Sequence, residues 1–193
     1  MLKFKLRRKM INSLPIETER LIIRYLTPDD AYDMFEYSSL PEVTEFLLWS
    51  PHLNIEATEG YLESLQKRYI RGLYGDWGIE LKENGKMIGT CGYASFDSYS
   101  LTCEIGYVLS PKYRKKGYMT EAVEAILALS FETLELESAQ LRIITENSAS
   151  IALANRLGFQ KDYCITMEIK GVPREVSHFV ITQQQYFDKK RSG

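Results

Sequence analysis

The 193-residue sequence has few of the residues that mark metal sites, disulfide frameworks or membrane spans. It contains two histidines, His52 and His178, and three cysteines, Cys91, Cys103 and Cys164, with no Cys-x-x-Cys pair. We therefore expect no metal site and reduced thiols. No apolar run is long enough to cross a bilayer. The net charge of −2 gives the chain no overall electrostatic reason to bind nucleic acid or an acidic membrane.

Two common nucleotide-binding motifs are also missing. Gly-x-Gly-x-x-Gly does not occur, which argues against a Rossmann dinucleotide site. Gly85-Lys86 is followed by Met87, where a P-loop requires Ser or Thr. No repeat, linker or low-complexity segment divides the chain. With 45% hydrophobic and 26% charged residues, it has the composition of a globular protein, for which we expect a cytoplasmic location.

The first 15 residues contain a cluster of positive charge and lack the apolar run of a secretory signal. We expect residues 1–15 to be a flexible basic extension, with either Met1 or Met10 as the true start, and residues 188–193 to be a polar tail. An arm that binds nucleic acid is the alternative interpretation of the extension. Its basic residues are Lys3, Lys5, Arg7, Arg8 and Lys9.

The most informative segment runs from Arg114 to Ala122 and reads Arg-Lys-Lys-Gly-Tyr-Met-Thr-Glu-Ala. A β-branched and aromatic stretch, Glu104 to Leu109, precedes it, and an apolar helical pattern follows from Met119. A strand, a basic turn and a helix start present several main-chain N–H groups to an anion, and Gly117 lets a phosphate approach the main chain closely. The pattern predicts a diphosphate site.

Periodicity and turn residues predict an α+β fold with a mixed, largely antiparallel central sheet. The predicted strands are Leu21–Leu26, Trp77–Leu81, Lys86–Phe96, Ser100–Leu109, Leu141–Thr145, Phe159–Ile169 and Ser177–Thr182. The predicted helices are Pro28 to Ser38, Ile55 to Tyr69, Met119 to Leu134, and Ser148 to Leu157.

Four sequence blocks, in order, resemble the GNAT N-acetyltransferases over residues 16–187. The basic turn is similar to motif A of that family, (Gln/Arg)-x-x-Gly-x-(Gly/Ala), through Arg114, Gly117 and Met119. Thr18 to Ala31 resembles the opening of its RimJ/RimL-type members, and Glu104-Ile105-Gly106-Tyr107 fits the strand before the turn. The fourth block, similar to the helix after the fifth strand, is Asn147-x-x-Ser150-x-x-Leu153-x-x-Arg156-x-Gly158-Phe159.

The resemblance implies one GNAT-type domain over residues 16–187, with about seven strands and about four helices. Its sheet would splay between the fourth and fifth strands, and the pantetheine arm of acetyl-CoA, the co-substrate, would fill the gap. The main chain of Tyr107, Val108 and Leu109 would pair with that arm, and the Val108 N–H would face the thioester oxygen. The remaining cofactor-binding residues would be Arg114, Lys115, Lys116, Gly117, Tyr118, Met119, Thr120, Asn147 and Ser150.

The implied chemistry is direct transfer of an acetyl group to a primary amine, either a protein N-terminal α-amine or a small-molecule amine. Such an amine must lose a proton, usually to a carboxylate. Glu104 is the candidate base, and a cross-strand ion pair is its alternative role. Ala154 stands where many family members carry a tyrosine, so the candidates for the acid are Ser150 and Asn155, on the helix expected to flank the thioester. A helix-capping or first-turn role for Ser150, and departure of the thiolate without an acid, are the alternatives. We expect Trp49 and Tyr93 to contact the acceptor.

Two further expectations follow from the resemblance and its departures. The missing tyrosine at Ala154 favours, as an alternative, a catalytically inactive module that binds acyl-CoA. A homodimer is possible by resemblance, and no membrane or nucleic-acid partner is expected.

Overall fold

The computed structural model describes residues 2–192, with side chains from Leu6 onward. The helices are α1 Leu2–Asn12, α2 Ala31–Ser38, α3 Pro41–Thr44, α4 Ile55–Ile70, α5 Tyr118–Ala128, α6 Ser148–Leu157 and α7 Gln183–Ser192. The strands are β1 Ile16–Glu17, β2 Leu21–Arg24, β3 Asp76–Leu81, β4 Met87–Asp97, β5 Thr102–Leu109, β6 Ser138–Ile144, β7 Gln160–Ile169 and β8 Val172–Thr182. None of the helices within residues 2–192 combines the length and apolar character needed to span a bilayer.

The strands form one sheet in the order β1-β2-β3-β4-β5-β6-β8-β7. Every neighbouring pair is antiparallel except β5 and β6, which are parallel. The predicted α+β class is confirmed. The sheet has eight strands because the two-residue β1, which has no period-2 signal of its own, pairs with β2.

The sheet splays between β5 and β6. These strands pair only at their first residues, Thr102 with Ser138, Cys103 with Ala139, and Glu104 with Gln140. Beyond Glu104, β5 continues its pairing with β4, while β6 continues its pairing with β8 as far as Ile144. The predicted splay is therefore confirmed, and it falls at the fifth and sixth strands only because β1 adds one to the numbering.

Helices cover both faces of the sheet. The larger core lies on one face, where α5 buries Met119, Ala122, Val123 and Ile126, a spacing that matches the helical period. Leu153 and Leu157 of α6 join the same core. On the other face, α2 and α4 pack over the sheet and bury a second cluster: Leu26, Ala31, Met34, Tyr37, Val43, Leu62, Leu65 and Met87. The second face carries the cavities described below.

Within the described residues, most of the segment expected to be a flexible basic extension, residues 1–15, takes a regular structure. Residues 2–12 form α1, and Leu6 and Met10, one helical turn apart, are buried in the larger core. Lys9 donates from Nζ to the Thr133 carbonyl at 2.9 Å and pairs with Glu135 at 2.7 Å. The basic residues led to the prediction of a solvated arm. The apolar residues Leu6 and Met10, at positions i and i+4, nevertheless anchor this short helix on the core.

Residues 188–192 of the expected polar tail also take a regular structure, and Gly193 lies outside the described residues. Residues 183–192 form α7, whose Tyr186 and Phe187 pack against the larger core. Lys190 pairs with Glu132 at 2.7 Å. The helix predicted to reach Leu134 ends as α5 at Ala128 and continues as a π-helical turn over Leu129–Thr133.

Candidate functional site

The splay between β5 and β6 opens into a cavity of about 350 Å³, called here the outer cavity. Glu104 to Val108 of β5 form one wall and Leu141 to Ile144 of β6 form the other. Since neither strand pairs with another described strand at this edge beyond Glu104, main-chain N–H and C=O groups are available to an extended ligand. Such a ligand would lie between the two strands and form the main-chain hydrogen bonds that a paired strand would otherwise form.

The turn after β5 has the free amides of an anion site. Residues 115–120 donate no main-chain hydrogen bond of ordinary geometry to another group within residues 2–192. Gly117 has φ 82° and ψ −5°, the left-handed conformation that glycine adopts without strain. Lys115 also has a positive φ, 61°. Together with the N-terminal end of the α5 dipole, these amides fit a phosphate group.

Arg20 holds this turn in place, a role that the sequence analysis did not assign. Its guanidinium donates from Nη1 to the Lys116 carbonyl at 3.0 Å and pairs through Nη2 with Glu121 at 2.7 Å. Glu121, in the first turn of α5, also accepts from the Thr18 hydroxyl at 2.6 Å and from the Arg20 N–H at 2.8 Å. These bonds lower the pKa of Glu121 against the effect of its burial. Both Thr18 and Arg20 belong to the block, Thr18 to Ala31, in which the chain resembles the RimJ/RimL-type members.

The candidate base Glu104 lines the outer cavity but is already paired. Its Oε1 accepts from Arg142 Nε at 2.8 Å, across the short parallel pairing of β5 with β6. A cross-strand pair is the alternative role expected for this residue. The geometry leaves one carboxylate oxygen of Glu104 without that contact.

Tyr107, Asn147 and Ser150 lie together at the outer cavity. Asn147 caps α6, since its Oδ1 accepts from the Ser150 N–H at 3.1 Å. The Tyr107 hydroxyl is buried and makes no hydrogen bond of ordinary geometry within the described residues. Burial raises the pKa of Tyr107 to about 12, while the neighbouring Ser150 hydroxyl acts in the opposite direction. The sequence indicated a main-chain role for Tyr107, and the structure adds a buried phenol hydroxyl beside that of Ser150.

Asn155 does not join this group. It is exposed on α6 and does not line the outer cavity, so the structure gives no support to its role as an acid. Ala154, where many family members carry tyrosine, is completely buried in the larger core. Tyr107 on β5 is therefore the candidate to supply a phenol hydroxyl in place of the tyrosine that is absent at position 154.

The two predicted acceptor contacts differ in accessibility. Trp49 is half-buried in the loop after α3, lines the outer cavity, and has its ring 5.3 Å from that of His52. Tyr93 also borders the cavity but is only 1% exposed. Its hydroxyl lies 2.7 Å from the buried Ser130 hydroxyl, and its ring packs edge-on against Trp77. Tyr93 is thus a core residue, and its hydroxyl is not available to a substrate.

A second cavity of about 200 Å³, called here the inner cavity, adjoins the first under α2 and α4. Both cavities are lined by Trp49, Tyr61, Asp76, Thr90 and Val108. Asp76, at the start of β3, is the carboxylate shared by them, and Tyr61 donates to its Oδ2 at 2.5 Å. Sequence reasoning missed Asp76 because nothing in its local pattern separates it from an ordinary strand-end aspartate.

Comparisons with known proteins agree with this geometry. The family model described as "Acetyltransferase (GNAT) domain" matches residues 20–160. An uncharacterized N-acetyltransferase, p20 of Bacillus licheniformis, is 30% identical over 88% of this chain and 96% of its own length. The [ribosomal protein uS5]-alanine N-acetyltransferase of Escherichia coli is 24% identical over 80% of this chain and 82% of its own.

Solved structures share the architecture. RimL, a ribosomal L7/L12 alpha-N-protein acetyltransferase in complex with coenzyme A, aligns with a TM-score of 0.77 and 17% identity, covering 87% of this chain and 97% of that one. At that identity the likeness concerns the fold alone.

The splayed sheet, the amide-rich turn and the family match define the class of protein: this chain belongs to the GNAT acetyltransferase family. The expected enzyme class, an N-acetyltransferase, is confirmed, as is the resemblance to the RimJ/RimL-type group.

Proposed function

We propose that this chain transfers the acetyl group of acetyl-CoA directly to a primary amine, with both substrates bound at once. The observation that carries the proposal is the continuity of β5. The strand borders the outer cavity along Glu104 to Val108 and leads within a few residues to the free amides at 115–120. One elongated ligand with a diphosphate at one end and a thioester at the other fits that arrangement.

The residues of this chain would bind acetyl-CoA in two ways. The main chain of Tyr107, Val108 and Leu109 would pair with the pantetheine arm, because no strand in the described part of the chain pairs with their outer edge. The amides of residues 115–120 would hold the pyrophosphate. Lys115 and Lys116 are exposed, and an exposed ion pair contributes only about 0–1 kcal/mol, so the amides supply most of the specificity.

Ser150 and Tyr107 would stabilise the departing sulfur. Both line the outer cavity beside Val108, whose N–H is the expected donor to the thioester oxygen. The pKa of Tyr107, about 12, is above the value of about 8.5 for a free thiol. Tyr107 would therefore donate a hydrogen bond to the developing thiolate and keep its proton, and Ser150 would assist in the same way.

The acceptor would enter from the loop that contains Trp49. Phe46 to Trp49 line the outer cavity opposite the β7–β8 hairpin, where Lys170 donates to the Thr44 carbonyl at 2.6 Å. The Escherichia coli relative is named for acetylating an alanine of a ribosomal protein, which supports a protein N-terminus as the acceptor. A small amine remains the other member of the same chemical class.

Three measurements test the proposal. Calorimetry is expected to show acetyl-CoA binding, and thiol release from acetyl-CoA is expected to require an amine from a panel of peptides with free N-termini, polyamines and aminoglycosides. Initial velocities with both substrates varied should give intersecting lines, whereas parallel lines would contradict direct transfer. Cofactor binding without release for any amine would favour the inactive acyl-CoA-binding module.

A further inference from the structure

We propose that the inner cavity is the subsite for the acceptor's ammonium group, with Asp76 as its counter-ion and as the first acceptor of its proton. This inference rests on the proposed function and deepens it, because it names the group that selects the acceptor. It also moves the base from Glu104, which is paired with Arg142, to a carboxylate that forms no ion pair among the described residues.

The surroundings of Asp76 carry the first step of the argument. Its carboxylate takes part in none of the ion pairs found among the described residues, and Tyr61 is its hydrogen-bond donor. Arg68 acts on it only from a distance, since its guanidinium donates to the Tyr74 carbonyl at 2.9 Å. An ionised carboxylate enclosed by protein without a counter-ion is unfavourable, so the site is complementary to an incoming cation.

The residues that line the inner cavity indicate which class of cation it would bind. Tyr37, Trp49 and Tyr61 place aromatic rings around it, and aromatic faces attract ammonium groups. The Tyr37 hydroxyl has the Met87 sulfur, a weak acceptor at 4.0 Å, as its contact. Burial lowers the pKa of His52, so this ring is neutral at pH 7 and does not replace the missing charge. A primary ammonium on a short organic body fits these walls.

The sheet register places Asp76 within reach of the expected acyl position. Asp76 on β3 pairs with Gly92 on β4, and Gly92 pairs with Gly106 on β5. Because both partners are glycines, this cross-strand row carries no bulky side chain between the Asp76 carboxylate and β5. Two strand spacings separate Asp76 from Gly106, about 10 Å between main chains. Val108 lines both cavities, which makes it the point where the two substrates would meet.

The proton balance is simple. The ammonium gives one proton to the Asp76 carboxylate, directly or through a water molecule, and the neutral nitrogen keeps its lone pair. That nitrogen attacks the thioester carbon; the C–N bond forms, the C–S bond breaks, and the sulfur leaves as a thiolate. The nitrogen then loses its second proton to solvent or to the thiolate as the amide forms, and Asp76 releases its own proton to solvent. Burial raises the pKa of Asp76, which makes it a better base than an exposed aspartate.

The test compares Asp76→Asn with wild type, because asparagine keeps the size of the side chain and can still accept from Tyr61. The probes are 2-phenylethylammonium and tetra-alanine with a free N-terminus. Their matched controls are 2-phenylethanol and N-acetyl-tetra-alanine, which lack the charge. We expect wild type to bind one or both cations by NMR titration, and Asp76→Asn to lose that binding by about tenfold or more. We also expect kcat/KM for the amine to fall by about 10²-fold or more.

Three readouts keep the outcomes separate: the affinity for acetyl-CoA, the binding of the cations and their controls, and kcat/KM in the thiol-release assay. Acetyl-CoA affinity, measured by calorimetry, should not change in Asp76→Asn, and Asp29→Asn, an exposed aspartate outside both cavities, should behave as wild type. If Asp76→Asn keeps kcat/KM within about threefold, or if wild type binds the two controls without an ammonium group as well as the cations, the subsite is wrong while acetyl transfer can still stand. If the cations bind through Asp76 but no thiol is released, the proposed function is wrong and the subsite stands. Stronger binding of tetra-alanine than of 2-phenylethylammonium would identify a peptide N-terminus as the source of the ammonium group, and the reverse would identify a small amine.

Discussion

The turn at Gly117 allows the sharpest prediction. Valine at this position must take φ near 82° or rearrange the turn, and the left-handed region costs an L-residue about 1–2 kcal/mol. The added Cβ would lie 3.3 Å from Arg20 Nη2, the end of a flexible side chain, so the steric contact itself is minor. If the turn relaxes to negative φ, the amides of residues 115–120 no longer converge. Loss of two hydrogen bonds to a charged group, at about 1.5–3 kcal/mol each, weakens binding by about 10²-fold or more.

Gly85→Val is the matched control for Gly117→Val. Gly85 also has a positive φ, 71°, in the β3–β4 hairpin, with no atom within 4 Å of an added Cβ. Thermal denaturation should show comparable destabilisation in both variants, while calorimetry with acetyl-CoA should show weakened binding only in Gly117→Val. Equal affinity for acetyl-CoA in Gly117→Val and Gly85→Val would refute the assignment of the turn as the phosphate site.

Four further outcomes are expected. Arg20→Ala should weaken acetyl-CoA binding by about threefold to tenfold in calorimetry, because the turn loses its support, and an unchanged affinity would show that the turn holds its own shape. Tyr107→Phe should lower kcat by about tenfold in a thiol-release assay without lowering the melting temperature, because the removed hydroxyl is buried and makes no hydrogen bond of ordinary geometry within the described residues; an unchanged kcat would exclude Tyr107. Glu104→Gln should keep kcat/KM within about tenfold, since Arg142 already occupies the carboxylate, and a loss of about 10²-fold would return the base to Glu104. Burial raises the pKa of Asp76 above its unfolded value of about 3.9, so the folded state binds this proton more tightly and the ionised carboxylate is destabilising at pH 7. Calorimetric melting should therefore show Asp76→Asn at least as stable as wild type at pH 7. Any gain in stability should be lost below about pH 4. A clear loss of stability at pH 7 would instead indicate a structural role for Asp76.

The parts of the fold with strong local signals were predictable from the sequence. The apolar period from Met119 and the Asn147 cap identified α5 and α6, and the Gly117 turn was found because glycine and basic residues follow a β-rich stretch. The splay was implied by resemblance, and the early end of the β5–β6 pairing bears it out.

The remaining features depend on contacts between distant residues. Leu6 and Met10 look like isolated apolar positions in a basic segment until α1 packs on the core. Asp76 becomes unusual only because α4 brings Tyr61 to it and encloses it. Tyr93 was expected to contact the acceptor, yet its hydroxyl lies beside the Ser130 hydroxyl of a distant element. Burial and partner identity are properties of the folded chain, and no single-sequence pattern encodes them.

The central claim, transfer of an acetyl group to a primary amine, is tested most directly by mass spectrometry of the acceptor. Tetra-alanine with a free N-terminus and 2-phenylethylammonium would each be incubated with acetyl-CoA and the wild-type protein. We expect at least one to gain a single acetyl group on nitrogen, while N-acetyl-tetra-alanine gains none. If neither these amines nor the wider panel of peptides, polyamines and aminoglycosides is acetylated by protein that binds acetyl-CoA, the claim is contradicted.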